Sequence, residues 1–185
     1  MSVNQYNEGI KYAQMLDLDD LFIYLNESEL DDMSKLKSMY AAQDAVAGYK
    51  ALKATTKVIG TWDDHDYGPN NSDLSFWNKE TSKEIFSLFW ANPSYGIAGV
   101  PGISSLFTWN DIDFFLLDNR YNRSVNERKT GERSILGKEQ LKWLKNALVS
   151  SQAPYKFVAM GGQFLNNAGV YESYTNYGFD KERQD

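Results

Sequence analysis

The chain has 185 residues, which is one domain's worth of sequence and long enough to bury a sizeable core. A hydrophobic fraction of 42% and an aromatic fraction of 15% exclude an intrinsically disordered chain. The net charge of −6 without a basic block argues against a nucleic-acid partner, and the absence of cysteine excludes a disulfide framework and a thiolate metal site.

The N-terminal part of the chain predicts one helix and one strand. Val3 to Met15 carries apolar residues at helical spacing, whereas Leu21 to Leu25 is a short run of β-forming apolar residues typical of a buried strand. Met1 to Leu18 is polar and lacks the apolar core of a signal peptide, so we expect none. No run reaches the roughly 18 apolar residues of a membrane span, so we expect no membrane-spanning segment.

Residues 33–60 lead into the stretch with the densest set of reactive side chains. Met33 to Tyr40 and Val46 to Leu52 are typical of helices, and the apolar residues within Lys57–Gly60 predict a buried strand. Three carboxylates and the chain's only histidine then follow within Asp63–Asp66, which we call the acidic turn. The order of elements places this turn at the carboxyl end of a strand.

The acidic turn has two interpretations. Carboxylates this close repel one another, more so when they are buried, and a bound cation would reverse the sign of that interaction. Carboxylate oxygen and imidazole nitrogen both ligate hard or borderline divalent metals, so the composition suits a metal site. The alternative is a solvated acidic loop whose aspartates make turn or capping hydrogen bonds.

The middle of the chain predicts a helix, a glycine-rich connection and a hairpin. Lys79 to Trp90 is amphipathic, and its aromatic residues are more typical of a core than of a ligand platform. Tyr95 to Ser105 is too rich in glycine for a regular element, and is either a surface connection or a flexible rim over the site. Leu106–Trp109 and Ile112–Asp118 flank a two-residue turn and predict two paired strands.

The last third predicts a helix, a strand and the beginning of another helix. Lys138 to Ser150 places leucines on one helical face, and Tyr155 to Met160 reads as a strand. Asp180 suits the N-cap of a helix that begins near the C-terminus. Helices alternating with short apolar strands predict an α/β fold in a single domain over residues 1–185.

Four stretches resemble one family, the alkaline phosphatase D (PhoD-like) metallophosphatases. Residues 62–68 read Trp-Asp-Asp-His-Asp-Tyr-Gly, and residues 114–121 look like the family's strand that ends in Asp-x-Arg. Residues 135–144 are similar to its next helix, and residues 161–166 are similar to the segment after the next strand. The resemblance implies part of a metallophosphoesterase-type sandwich of mixed sheets flanked by helices. It also implies metal-dependent hydrolysis of small phosphomonoesters or phosphodiesters.

The resemblance also assigns roles to individual residues. Asp64 matches a metal-ligating position, and Asp63 is a second ligand or orients the neighbouring imidazole. His65 would stabilise or protonate the departing oxygen as a general acid. Arg120 would clamp a phosphoryl oxygen, or form an ion pair with Asp118 or another carboxylate, and Gln163 would contact substrate or cap a turn. The metal ions expected are calcium, iron, manganese or zinc.

The chain also departs from the family's pattern. The segment after Leu25 lacks the family's Gly-Asp-x-x-Tyr, the family's N-terminal cysteine is absent, and no Gly-Asp-Arg-His segment follows Asp185. We therefore expect a domain that is incomplete at both ends and a chain with little activity by itself. Family members are commonly exported, and the sequence leaves localisation and oligomeric state open. The alternative functions are a catalytically inactive relative that acts as a binding or structural module, and a sugar-binding module that uses the aromatic residues.

Overall fold

A computed structural model describes residues 33–126, 128–166, 173–174 and 178–185. The predicted helix at Val3–Met15 and the predicted strand at Leu21–Leu25 lie outside the described residues. The helices are α1 (Ser34–Ala45), α2 (Ala47–Thr55), α3 (Asp64–Tyr67), α4 (Lys79–Phe89), α5 (Lys138–Ser150) and α6 (Asp180–Gln184). The strands are β1 (Ser105–Trp109), β2 (Ile112–Leu116) and β3 (Tyr155–Ala159). This mixed α/β architecture confirms the predicted fold class.

The three strands form one mixed sheet in the order β1-β2-β3. β1 and β2 are antiparallel, with Trp109 opposite Ile112, so the predicted hairpin is confirmed. Asn110 in the connecting turn has a φ of 55°, a left-handed conformation that asparagine tolerates better than most residues. β2 and β3 are parallel, with α5 in the connection between them, because a parallel pair requires a long crossover.

Two hydrophobic clusters lie on different elements. The first joins α1, the acidic turn and α4, and its aromatic centre is Trp62, whose ring meets Phe86 at 5.5 Å and Tyr67 at 5.2 Å. The second packs β2 against α5 through Phe115 and Leu144. Phe86 is fully buried, which confirms that the aromatic residues of α4 belong to the core. The acidic turn therefore stands on a packed aromatic base.

The segment Lys57–Gly60 is not a strand, contrary to the prediction. It has no regular secondary structure and is half-buried from Val58 to Gly60, and its hydrogen bonds go to the residues after α4. The amide of Ala91 donates to the carbonyl of Val58 at 3.0 Å, and the Asn92 side chain both accepts from the Gly60 amide and donates to its carbonyl. The backbone groups of this apolar run are thus hydrogen-bonded by Ala91 and the Asn92 side chain instead of by a neighbouring strand.

Three smaller features complete the described fold. The last helix begins at Asp180, so its N-cap is Phe179, one residue before the predicted cap. β3 pairs with β2 along one edge, and all five of its residues are exposed. Within the described part of the chain, we find no helix of the length and apolarity needed to cross a bilayer.

Candidate functional site

The acidic turn is a single helical turn, α3, that begins directly after Asp63. The amide of Asp63 donates to Asp66 Oδ2 at 3.2 Å, and the Asp63 carboxylate accepts a hydrogen bond from the backbone amide of Asp66. The two bonds form a capping box. Trp62 before the turn and Tyr67 at its end are both fully buried and hold it on the first core cluster. The capping bonds of the solvated-loop interpretation are therefore present, but the turn is anchored in the core.

Asp63 is bound by two side chains from the turn that follows β2. Arg120 Nε donates to Asp63 Oδ1 at 2.6 Å, and Asn119 Nδ2 donates to the same oxygen at 2.8 Å. Arg120 Nη2 also lies 2.5 Å from this oxygen, as an ion pair without hydrogen-bond geometry. The ion pair that the sequence left open for Arg120 is thus present, and its partner is Asp63.

Asp64 and His65 lie side by side, with different exposure. Asp64 is buried, and its two oxygens accept from the amides of His65 at 2.9 Å and Asn71 at 2.7 Å. The His65 side chain is 33% exposed, and its Nε2 lies 3.9 Å from Asp64 Oδ1. Arg120 Nη2 is also 3.9 Å from Asp64, so one guanidinium lies near two carboxylates of the turn.

Asp66 points away from this group and into the fold. Its Oδ1 accepts a hydrogen bond from the Tyr40 hydroxyl at 2.8 Å. Burial is the main cause that raises the pKa of Asp66 above its ordinary value, and the hydrogen bonds from Tyr40 and from the Asp63 amide partly offset that effect. Asp66 therefore fixes the acidic turn to α1.

Asp118, at the end of β2, has both oxygens enclosed by donors. Oδ1 accepts from the Trp62 indole at 2.8 Å and from the amides of Arg120 and Tyr121 at 2.9 Å, while Oδ2 accepts from the amide of Ile103 at 3.0 Å. The side chain is fully buried, and burial raises the pKa of Asp118 in spite of these bonds. Asp118 thus connects the turn after β2 to the acidic turn.

The glycine-rich segment 95–105 is exposed at Ala98, Gly99 and Pro101, as in a surface connection, but residues 102–105 are buried. Gly102 has a φ of 105°, and a Cβ there would overlap the Asp118 carboxylate. Ser104 is buried and donates to Gln140 Oε1 at 2.6 Å. Glycine at position 102 is required because the chain passes directly over a buried carboxylate.

The segment after β3 reaches the acidic turn at Gly161. A Cβ at this position would overlap the carbonyl oxygen of Trp62 and lie 2.8 Å from Asp63 Cβ. Gln163, two residues later, is exposed, and its side-chain oxygen accepts from the amide of the Asn166 side chain. Backbone contact at Gly161, and not the Gln163 side chain, joins this segment to the turn in the described structure.

Asn119 is a site residue that the sequence analysis missed. It is fully buried, it holds Asp63, and its Oδ1 has no hydrogen-bond partner among the described residues. The Oδ1 of Asn71, whose amide holds Asp64, is also buried without a partner in the same part of the chain. The sequence could have indicated Asn119 as a site residue, because it lies between the two motif residues Asp118 and Arg120.

The structure therefore brings together Asp63, Asp64, His65, Arg120 and Asn119, and leaves Gln163 outside this group. Arg120 is fully buried beneath the carboxylates and supplies the positive charge closest to them. Over the described ranges, no three or more acidic or histidine side chains are arranged to hold a metal ion. In this arrangement the arginine compensates the negative charge of the turn.

Comparisons with known proteins connect this geometry to one family. Residues 103–181 match the profile of the PhoD-like phosphatases, a range that includes Asp118 and Arg120 and begins after the acidic turn. Alkaline phosphatase D of Bacillus subtilis (strain 168) is 27% identical over 159 residues, which cover 72% of this chain and 27% of that protein. A solved structure of PhoD shares the fold with a TM-score of 0.56 at 22% identity, over 75% of this chain and 32% of that one.

The chain thus spans less than a third of the length of either relative. The profile covers the sheet, α5 and the start of α6, and the structural match extends to three quarters of the chain. These matches confirm the resemblance that the motifs predict: the chain is similar to part of the PhoD-like phosphatases and shares the mixed α/β fold of the solved structure.

Proposed function

We propose that this chain carries part of the active site of a metal-dependent phosphoric ester hydrolase that acts on small phosphomonoesters or phosphodiesters. The relationship to the PhoD-like phosphatases supports a phosphoesterase function. The observation that carries the proposal is the meeting of the acidic turn with Arg120 and Asn119. This meeting point follows the ends of the parallel strands β2 and β3, where open α/β sheets bind ligands.

The donor chemistry of the site fits a hard cation. Asp63 and Asp64 offer carboxylate oxygens, and the buried Oδ1 atoms of Asn119 and Asn71 lack partners among the described residues. A buried acceptor without a donor is costly, and a cation such as calcium is one group that satisfies it. We propose Asp63 and Asp64 as the ligands of a calcium, iron, manganese or zinc ion, with Asn119 as an added oxygen ligand. Such an ion would lower the pKa of a bound water molecule and neutralise negative charge on the phosphoryl group.

The side chains around the carboxylates have separate tasks in this proposal. His65 is partly exposed at the edge of the turn, where its imidazole can donate a proton to the departing ester oxygen. Arg120 Nη2 lies 2.5 Å from Asp63 Oδ1 as an ion pair, and we propose that a phosphoryl oxygen takes the place of this carboxylate as its partner. Gln163 is exposed, and we propose that it contacts the substrate from the segment after β3.

Cation binding is the first test. Calorimetry with calcium, manganese and zinc, and metal analysis after exposure to iron, should detect binding that weakens strongly in Asp64→Ala. Asp111→Ala is the matched control, because Asp111 is an exposed carboxylate in the hairpin turn. Equal affinity in the wild type and in Asp64→Ala would contradict the metal assignment.

Hydrolysis is the second test, with aryl phosphate monoesters and diesters as substrates in a version of the protein that turns them over. His65→Ala should lower kcat, and Arg120→Lys should lower kcat/KM, because a point charge cannot reproduce the planar fork of a guanidinium. A kinetic profile unchanged by Arg120→Lys would remove Arg120 from substrate binding and leave it only the ion pair with Asp63.

A second candidate function is binding of phosphate esters without turnover. It is favoured by the positive charge of Arg120 beside Asp63 and by the lack, within the described residues, of three clustered metal ligands. Phosphate-ester binding that needs no metal and is lost in Arg120→Ala, together with no hydrolysis under any metal, would favour this candidate.

A further inference from the structure

A basic pocket lies between the turn at residues 128–133 and the start of α6. It is an open pocket of about 520 Å³ and shares no lining residue with the acidic turn. Its lining includes four cations, Arg128, Lys129, Arg133 and Lys181, and one acid, Glu132. The pocket therefore has an excess of positive charge in a chain whose net charge is −6.

Backbone contacts hold the two arginines of the basic pocket in place. Arg128 Nε donates to the carbonyl of Thr130 at 2.7 Å, and Arg133 donates to the carbonyl of Arg128. The Arg133 guanidinium also lies 5.9 Å from the ring centre of Phe179, which is fully buried in the second core cluster. Both guanidinium groups are thus positioned before any ligand arrives, which lowers the entropy cost of binding.

Glycine at position 131 brings the backbone against the Arg128 guanidinium. Its φ is 82°, and a Cβ there would lie 2.7 Å from Arg128 Nη2. A side chain at this position would strain the backbone, whereas the exposed Arg128 guanidinium could move aside at little cost. The positive φ, and not the contact with Arg128, therefore requires glycine in this turn.

Glu132 is the one acid among the described lining residues of the pocket, and its ion pair is exposed. Glu132 forms an ion pair with Lys181, and the two side chains are 77% and 64% exposed. Exposed ion pairs contribute little to stability because solvent screens them. An anion with more charge than one carboxylate can therefore replace Glu132 at Lys181.

We propose that the basic pocket binds a compact, multiply charged phosphate compound, at a site separate from the acidic turn. Its volume lies within the range of small-molecule sites, roughly 300–1,000 Å³, so it has room for more than one phosphoryl group. Guanidinium forks and ammonium groups together suit phosphoryl oxygens, the former as bidentate donors and the latter as point charges. This site does not depend on metal binding or turnover at the acidic turn.

The test uses inorganic pyrophosphate as the probe, titrated calorimetrically into the metal-free chain, with inorganic phosphate as the weaker comparison. The double variant Arg128→Gln, Lys129→Gln should weaken pyrophosphate binding by about tenfold or more, since a hydrogen bond to a charged group is worth at least that factor. Lys145→Gln, which removes an exposed charge on α5, is the control and should leave binding unchanged.

One further variant keeps the result independent of folding. Glu132→Gln should tighten binding because it removes the one acid among the described lining residues, and a misfolded protein would not gain affinity. Absence of binding, or equal losses in the double variant and in Lys145→Gln, would overturn the proposal.

Discussion

Two turns meet at the candidate site, and each contributes a carboxylate with a different environment. Asp118 is fully enclosed, and its donors are three backbone amides and one buried indole, groups that the fold itself positions. The Asp63 side chain is 28% exposed, and its Oδ1 is held by the side chains of Arg120 and Asn119. The first carboxylate builds the turn, whereas the second is held by groups that can exchange partners.

This difference explains why a motif aspartate is not by itself a site residue. A buried carboxylate whose oxygens accept from donors fixed by the fold must lose those bonds before it can turn to a metal or substrate. Arg120 and Asn119 reach Asp63 through their side chains, so a change of partner there leaves the backbone-to-backbone hydrogen bonds of the fold in place. The capacity to exchange partners therefore separates the site carboxylate, Asp63, from the structural carboxylate, Asp118. This difference is present although the sequence predicted a strand before each of them.

The largest expected effect follows from removing the enclosed carboxylate. Asp118→Ala should lower the free energy of unfolding by roughly 3–5 kcal/mol, because several buried donors lose their acceptor at about 1–3 kcal/mol each and the losses are not additive. Urea denaturation followed by tryptophan fluorescence measures this change, since Trp62 donates directly to Asp118.

Asp111→Ala is the matched control for that experiment. Asp111 is an exposed carboxylate in the hairpin turn, and its loss should change stability by no more than about 0.5 kcal/mol. If Asp118→Ala were as stable as this control, Asp118 would not be the structural member of the pair.

Much of the fold could be predicted from local patterns. The hairpin, α4 and α5 follow from strand alternation, amphipathic spacing and turn residues that act over a few positions. Lys57–Gly60 was predicted as a strand because its apolar run looks like one. Its partner is the Asn92 side chain, more than 30 residues later, and no local sequence pattern indicates hydrogen bonds over that separation.

The candidate site could be predicted only in part, for the same reason. Asp63, Asp64 and Arg120 were found through motifs. Their meeting was predicted from strand ends at one edge of a sheet, but only Arg120 follows a strand, because Lys57–Gly60 is not one. Two features depend on contacts between residues 15 to 56 positions apart. Trp62 and Ile103 donate to Asp118, and Asn119 donates to Asp63. The metal ligands, His65 as a general acid and Gln163 as a substrate contact stay predictions.

An intermediate effect is expected where the two turns meet the segment after β3. Gly161→Ala places a methyl group against the Trp62 carbonyl and Asp63, so the acidic turn must shift. Overpacking of this kind costs about 1–3 kcal/mol and should also weaken any cation bound at Asp63. Unfolding curves and calorimetry on the same variant measure both changes.

Gly48→Ala is the control for that substitution. Gly48 lies in α2 with no atom within 4 Å of an added Cβ, so alanine should leave stability unchanged or raise it by up to about 1 kcal/mol. A Gly161→Ala protein that matches this control in stability and cation affinity would show that the close approach at Gly161 does not position Asp63.

The smallest effect concerns Asp113, a carboxylate of the sheet that contrasts with Asp118 in the sign of its pH dependence. Ser151 and Thr108 donate to Asp113 at 2.5 and 2.6 Å, and these bonds hold its pKa below the ordinary value of 3.8. The folded state then binds fewer protons than the unfolded state in the window below 3.8. The stability from Asp113 is therefore complete above that pH and is lost as pH falls through the folded pKa.

Asp118 has the opposite sign, because burial raises its pKa and its contribution to stability falls as pH rises from 3.8 through the folded pKa. Unfolding free energies of the wild type, Asp113→Asn and Asp118→Asn, measured from about pH 5 down to about pH 2.5, separate the two. The advantage of the wild type over Asp113→Asn should shrink toward acid, whereas the wild type should gain on Asp118→Asn in the same direction. Parallel curves for the two variants would mean that backbone enclosure and side-chain hydroxyl bonds act alike on a carboxylate, and the contrast between the enclosed Asp118 and the hydroxyl-bonded Asp113 would lose its electrostatic basis.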